Sequence, residues 1–561
     1  MSTPDRSILS QQLDLAVTSF RDGFRILRHK GPNRIQFWFI ALLIGIAAGF
    51  AALFFRKGVN ALQTYIYGTE DVRLLHSFAE SLPWYMVLAI PICGGLIVGI
   101  ILHVFTNDGR VRSVADVIYG AALRDGRVET RAGLASAVAS MITLGTGGST
   151  GREGPVVHLA AVISTWVNRR ILADGITGRD LLGCAVAAAV SASFNAPIAG
   201  ALFAQEVVLR HFAVHSFAPI VIASAAGTVI NRLEFGGVTE FSLTTVNEVQ
   251  FYQELPAYLM LGLLCGLVAV AFMRAIFWAD DLGTVVQNQI GLPRWLRPAI
   301  AGAMLGGIAI WYPHIIGVGY ETTYLALDGQ IVLWTAIVFA IVKTAAVAIT
   351  MAGRMGGGVF SPSLMIGALT GLSFGLVATS IFPDVSGSIT LYALAGMGAV
   401  SAAVLGAPIS TTLIVFELTG DWQTGLAVMI AVSMSTALAS SLVDRSFFLT
   451  QLERRDVHLA AGPQAYLLAM FSVRHVMRKI DDERAASEEQ CWEMIGAGTY
   501  VDVSATLETA MPIFESGYSF IPVVRLSADA SPPELLGTLF HVDALKVYNK
   551  ALAATAAEEH S

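Results

Sequence analysis

Of 561 residues, 55% are hydrophobic and 14% are charged, and the mean hydropathy is +0.64, which excludes an ordinary soluble globular chain. A formal net charge of −7 argues against a nucleic-acid partner. Four cysteines without any CxxC spacing support neither a disulfide framework nor a cysteine metal site.

In chain order, about 35 mostly polar residues come first and carry Arg6, Arg21, Arg25, Arg28, Lys30 and Arg34. They lack the order of a cleavable signal, so no cleaved leader is expected. Apolar stretches long enough to cross a ~30 Å hydrocarbon core then recur. They are Phe37 to Phe55, Trp84 to Phe105, Ala257 to Met273, Pro298 to Trp311, Ile331 to Met351 and Leu426 to Leu442. The shorter pieces between them, interrupted by Gly and Pro, read as paired or broken helices. Arg445, Arg454 and Arg455 follow the last span. With the basic N-terminal segment they place both termini in the cytoplasm by the positive-inside tendency, which implies an even number of crossings.

Composition shifts near residue 450. The expected organisation is an N-terminal segment 1–35, a membrane domain 36–455, a linker 456–471, a small α/β domain 472–550 and a tail 551–561. Within the α/β part, Leu507 to Glu515 reads as a helix, and Phe520 to Val524 and Leu536 to Phe540 as strands. His475, His541 and His560 stand at spacings that form neither a nucleophile–base pair nor a metal site, so an enzyme is not expected.

The membrane domain repeats itself, in halves of about 36–240 and 250–455. Ala196-Pro197-Ile198 leads to Glu206, and Ala407-Pro408-Ile409 leads to Glu417 at the same spacing, an offset of 211. Gly151-Arg152-Glu153-Gly154-Pro155 is matched by Gly358-Val359-Phe360-Ser361-Pro362 at an offset of 207. Broken helices in such repeats aim their N-termini at an ion near mid-membrane.

Gly145 to Pro155 is glycine-rich and opens an apolar helix. Glycines let backbone approach an ion, Pro155 suits a first helical turn, and the free N–H groups there attract anions. Gly151, Arg152 and Gly154 are therefore candidate anion-binding positions. Glu153 is a carboxylate at that positive end, able to occupy the anion site itself until protonation or rotation frees it; an ordinary helix-cap carboxylate is the plainer alternative. The second break, Met355 to Pro362, carries no acid and offers the N–H groups of Val359 and Phe360 before another Pro-started helix. Backbone dipoles suit a permeating anion better than fixed cations, which bind too tightly to release it.

Together these segments resemble the CLC family of chloride channels and chloride/proton exchangers. Its GxxGREGP segment matches Gly148 to Pro155, its GxFxP segment matches Gly358 to Pro362, and its two AP…E segments match Asn195 to Glu206 and Ala407 to Glu417. The resemblance implies an all-α polytopic membrane fold, built as an inverted repeat of tilted and broken helices, in a homodimer with one chloride pathway per subunit. It implies that Glu153 is the external gate, that the Val359 and Phe360 N–H groups hold the central anion, and that no cofactor is needed. A bacterial inner membrane is the expected location. Val473 to Met477, Phe520 to Val524, Leu536-Gly537 and Asp543 to Leu545 resemble a CBS domain, a module that can bind nucleotide.

Three positions depart from the family pattern. The first anion motif, GSGIP, is replaced by Arg112-Ser113-Val114-Ala115-Asp116, which leaves Ser113 as its hydroxyl. The central tyrosine corresponds to Phe448, whose ring cannot donate a hydrogen bond. The exchangers' internal proton-transfer glutamate corresponds to Val207, which favours channel-like passage over proton-coupled exchange. Glu206, one place earlier, is a candidate on a proton pathway or a structural hydrogen-bonding residue. Lys343 reads as a vestibule cation or as a snorkelling or acid-paired residue, and His158 as a hydrogen-bonded packing residue.

Overall fold

A computed structural model describes residues 34–69, 74–171, 175–212, 214–236, 251–383, 388–419 and 422–457. It also describes 471–482, 484–503, 505–525 and 533–559, with Ser386, Leu459 and Leu468. The basic residues before Arg34, most of the expected linker, and His560 lie outside the described residues.

The first half begins with α1 (Arg34–Tyr67), α2 (Leu75–Ser81), α3 (Trp84–Phe105), α4 (Val114–Leu123) and α5 (Thr130–Gly145). It continues through α6 (Glu153–Ile171), α7 (Gly175–Phe194), α8 (Pro197–Phe203), a π-helical turn (Ala204–Leu209) and α9 (Val214–Phe235). The second half begins with α10 (Phe251–Ile290), α11 (Arg297–Ala309), α12 (Tyr320–Leu327), α13 (Leu333–Ala352) and α14 (Phe360–Ile381). α15 (Ile389–Leu405), α16 (Pro408–Thr419), α17 (Trp422–Leu442) and α18 (Phe447–Glu453) complete it.

Among the described residues, seven helices are long and apolar enough to cross a membrane. The expected spans coincide with α1, α3, α10, α13 and α17, with one correction. Pro298 to Trp311 is not a span: α11 is 13 residues, about 20 Å at ~1.5 Å per residue, and ends before Trp311. Length alone disqualifies it. The site-bearing helices are the opposite case: α6 and α14 are sheathed by protein, and their first residues are buried. Interrupted backbone at membrane depth is tolerable only with such cover.

The two halves interlock in a way that a local two-fold relation generates. Gly151 N–H donates to Gly358 O at 2.7 Å, and Gly358 N–H donates to Gly151 O at 2.8 Å. The Glu206 carboxylate accepts from Ile409 N (2.9 Å) and Ser410 N (2.7 Å). Reciprocally, Glu417 accepts from Ile198 N (3.1 Å) and Ala199 N (2.8 Å). Each acid thus satisfies the orphan donors at the start of the other half's helix.

The C-terminal part contains α19 (Val473–Val476), β1 (Arg478–Lys479), α20 (Glu488–Gly496), β2 (Val501–Asp502) and α21 (Leu507–Glu515). β3 (Phe520–Arg525), β4 (Glu534–Phe540) and α22 (His541–Glu559) follow. The sheet order is β1-β4-β3-β2; β3 and β4 pair antiparallel with Phe520 opposite Phe540, and β2 runs parallel to β3. Val473, Leu507, Phe514, Ile521, Val523 and Leu539 form its core. The helix and both strands expected there are present.

Candidate functional site

The two glycine-rich breaks meet in the doubly hydrogen-bonded bridge between Gly151 and Gly358, and Thr150 Oγ1 adds a bond to Gly358 O at 2.9 Å. Gly357 stands at φ +122°, and a Cβ there would lie 2.0 Å from Thr150 Oγ1. Only glycine fits that crossing without displacing a neighbour. The bridge sets the N-termini of α6 and α14 side by side, and the first N–H groups of a helix have no intrahelical partner.

Glu153 opens α6, is buried, and accepts a hydrogen bond from Ser361 Oγ of α14. Its Oε2 has no hydrogen-bond partner among the described residues. Phe360, one residue before Ser361, packs against Phe194 and Phe203 with ring centroids at 4.6 and 6.2 Å.

A cavity is lined by residues of this junction. Ser113, Glu153, Gly154, Val359, Phe360 and Phe448 all line it, although they are scattered from residue 113 to residue 448. Ser113 caps α4, donates from its hydroxyl to Gln451 Oε1 at 3.1 Å, and gives its N–H to Asp116 Oδ2 at 2.8 Å. Phe448 is buried beside Phe447, edge to face at 5.8 Å. The wall also carries Arg110, Arg354, Arg454 and Arg455. Burial, with Arg297 and Arg110 nearby, pushes the Arg354 guanidinium down to about 10, still charged at neutral pH.

The family model described as voltage gated chloride channel matches residues 94–440. The chain belongs to the CLC family. A putative chloride channel protein, ClcB-like, of Ralstonia nicotianae is 30% identical over 430 residues, covering 76% of this chain and 98% of the relative. The structure of a slow cyanobacterial Cl⁻/H⁺ antiporter aligns with a TM-score of 0.67 at 20% identity, covering 76% of this chain and 98% of that one. That of a eukaryotic CLC transporter aligns with a TM-score of 0.63 at 18% identity, covering 90% and 97%. The fold is therefore the CLC fold, and the chain is an integral, multi-pass anion-transport protein.

Not every expected site residue of this CLC protein reaches the cavity. The Gly151 N–H is spent on Gly358. Arg152 turns away from the cavity: its Nη2 donates to Ser193 O at 3.1 Å and its guanidinium lies 5.0 Å over the Tyr320 ring. Its Nε stands 3.9 Å from Glu153 Oε1. Among the described residues, Lys343 lines no vestibule and meets no acid. It is buried and donates to Ile315 O at 3.0 Å and Gly317 O at 2.9 Å, because the turn before α12 leaves those carbonyls without helical partners. His158 is buried, but neither ring nitrogen has a hydrogen-bond partner among the described residues, so it is not the hydrogen-bonded packing residue expected.

Gln451, Arg110 and Arg354 line the cavity without any local pattern in the sequence to mark them, and Ser361 reaches the site only through its bond to Glu153. Ser361 lay inside the quoted GxFxP segment, where its hydroxyl was the available clue. A different group of charges closes off the neighbourhood of α4. Arg112 bridges Asp108 at 2.8 Å and Glu129 at 2.9 Å, and Arg455 pairs with Asp116 at 2.8 Å. Burial acts to raise the Asp108 carboxyl, but the hydrogen bond and charge of Arg112 outweigh it and hold the group below its usual range. Burial likewise opposes the Arg112 charge, and Asp108, Asp116 and Glu129 together raise it above its usual value.

Proposed function

We propose that the chain moves chloride or a similar monovalent anion through a pathway gated by Glu153. One observation carries this reading: the Glu153 carboxylate lines a cavity where two helix N-termini converge and an anion would otherwise sit. Protonation or rotation of that side chain vacates the place for the incoming ion. Val359 and Phe360 hold the anion by backbone N–H groups, Ser113 supplies a hydroxyl on the way, and Phe448 narrows the passage without a polar contact. Arg110 and Arg354 raise the anion concentration at the mouth. We assign the arginine-rich end to the cytoplasm by the positive-inside tendency, and the membrane to a bacterial inner membrane.

The working unit is a homodimer. Exposed Ile198 and Ile409, at the paired helix starts capped by Glu417 and Glu206, supply an apolar face beside the repeat axis. We read the C-terminal α/β part as CBS-like from its sequence segments, and nucleotide binding there rests on that resemblance alone.

Val207, buried and apolar, favours channel-like passage. Proton-coupled exchange is the second reading, and the unpartnered His158 favours it. In reconstituted liposomes, Glu153→Gln should carry chloride at a rate nearly independent of pH. Retention of the wild-type pH dependence would remove Glu153 from the gate. Parallel flux measurements with chloride, nitrate, bicarbonate and fluoride rank the anions.

A further inference from the structure

A cavity that shares no lining residue with the anion cavity opens where α3 ends, between its last turns and the turn that joins α10 to α11. α3 is 22 residues, about 33 Å at ~1.5 Å per residue, which is the thickness of a hydrocarbon core. Its last turn therefore marks the boundary between lipid and water, and the cavity straddles that boundary. Trp295, an aromatic of the kind that settles at this depth, lines it.

Glycines bring the walls together. A Cβ at Gly95 would collide with Pro298 O, and one at Gly99 with Trp295 O, so the α10–α11 turn rests directly on α3. Gly109, at φ +64°, turns the segment after α3 back towards Arg294, and a Cβ there would already touch Arg294 Cβ at 4.0 Å. The cavity is thus framed by three pieces of backbone held in fixed relation.

Its polar groups are all able to donate. Arg294 is exposed and makes no ion pair among the described residues, whereas Arg297, three residues on, is buried and paired with Asp280 at 2.8 Å. His103 and Asn107, both exposed, line the same space and can each offer an N–H group. Among the described residues no acid lines the cavity, and Asp108, the neighbour of Asn107, is taken by Arg112 at 2.8 Å. Arg131 adds a second cation at this depth, its guanidinium 5.4 Å over the Phe105 ring. From the cavity, exposed Val104, Ile100 and Ile97 continue along one face of α3 into the hydrocarbon region.

We propose that this cavity binds an anionic phospholipid. The phosphate meets the Arg294 guanidinium and accepts N–H bonds from Asn107 and His103, Trp295 packs at the level of the glycerol, and an acyl chain lies along Ile97, Ile100 and Val104. Basic pockets beside membrane helices recognise such headgroups by charge. An anionic headgroup is favoured over a zwitterionic one because an ammonium group would find no carboxylate here. The apolar face leading out of the cavity favours a lipid over a free phosphate, which would leave that face unused. The site depends on α3 crossing the membrane and is independent of the role of Glu153.

Native mass spectrometry of the full-length protein in detergent tests this, with dioleoyl phosphatidylglycerol or dioleoyl phosphatidylcholine titrated in and the first bound lipid read out. Wild type should bind phosphatidylglycerol at least tenfold more tightly, and equal affinity for the two lipids overturns the site. Arg294→Gln should lower the phosphatidylglycerol affinity at least tenfold, with phosphatidylcholine binding and melting temperature unchanged. Retention of the wild-type affinity overturns the proposal. Arg294→Lys, which keeps the charge, should stay within threefold of wild type, and a loss as large as that of Arg294→Gln overturns recognition by charge. Arg124, an exposed arginine of the α4–α5 turn that pairs with Glu129 at 3.5 Å, supplies the control. Arg124→Gln should leave binding unchanged; a loss matching Arg294→Gln means diffuse attraction to surface charge and overturns the site. Millimolar inorganic phosphate should fail to displace the lipid, and displacement assigns the cavity to a free anion instead.

Discussion

Ser361 donates its hydroxyl hydrogen to Glu153 across the junction of the two halves, from the first turn of α14 to the first residue of α6. That bond holds the carboxylate in the place an anion would take. Ser361→Ala should therefore let the side chain leave that place more readily, and chloride flux at a fixed neutral pH is expected to rise about fivefold for one lost hydrogen bond of ~1 kcal/mol. Flux in liposomes reads this directly, and an unchanged or lowered flux would show that the hydroxyl does not hold the gate closed.

Glu206 is spoken for by the backbone of the other half. It accepts Ile409 N–H, Ser410 N–H and the Ser410 hydroxyl. Glu206→Ala should leave those donors poorly satisfied and lower stability by about 1–3 kcal/mol, seen as a reduced melting temperature in detergent. Proton coupling per chloride should not change. The opposite outcome, intact melting with coupling gone, would return Glu206 to the proton pathway.

The repeat, both glycine-rich breaks and the long spans were legible because each leaves a local pattern: a fixed offset, a cluster of Gly before Pro, an apolar run. Gly151 and Gly358 could be matched by their offset, but their hydrogen-bonded bridge could not, since pairing of two loops depends on how every intervening helix packs. Lys343 misled for the same reason. Its charge within an apolar run predicted an acid or an aqueous vestibule, whereas its partners are carbonyls of the turn at Ile315 to Gly317, which carry no residue signature. His158 was judged by spacing to other ligands, and the acids that share its cavity come from α4 and the neighbouring turns, far from it in sequence. Pro298 to Trp311 failed on length, because hydropathy alone does not report where a helix ends.

Phe448 lines the cavity where the resemblance expects a tyrosine. Phe448→Tyr should place a hydroxyl within reach of a bound anion, and one added hydrogen bond is worth about 1 kcal/mol, or roughly fivefold in affinity. Isothermal titration of the purified protein with chloride provides the measurement. An affinity that stays the same would mean the para position of the ring does not face the ion.

Two cations, Arg354 and the buried Lys343, should separate cleanly by experiment. Arg354 lines the cavity with Arg110, so Arg354→Gln should lower chloride flux most at low ionic strength, and the deficit should shrink as salt screens the mouth over a Debye length of ~10 Å at 0.1 M. Lys343 lies outside that cavity and binds two carbonyls, so Lys343→Met should destabilise the fold by about 1–3 kcal/mol for each carbonyl left bare. Its flux, normalised to folded protein, should keep the wild-type dependence on salt. Flux against ionic strength, measured for both variants alongside their melting temperatures, distinguishes a cation that gathers anions from one that fastens a turn. A salt-dependent deficit in Lys343→Met would overturn the assignment, because a side chain that only ties down backbone has no field to be screened at the mouth.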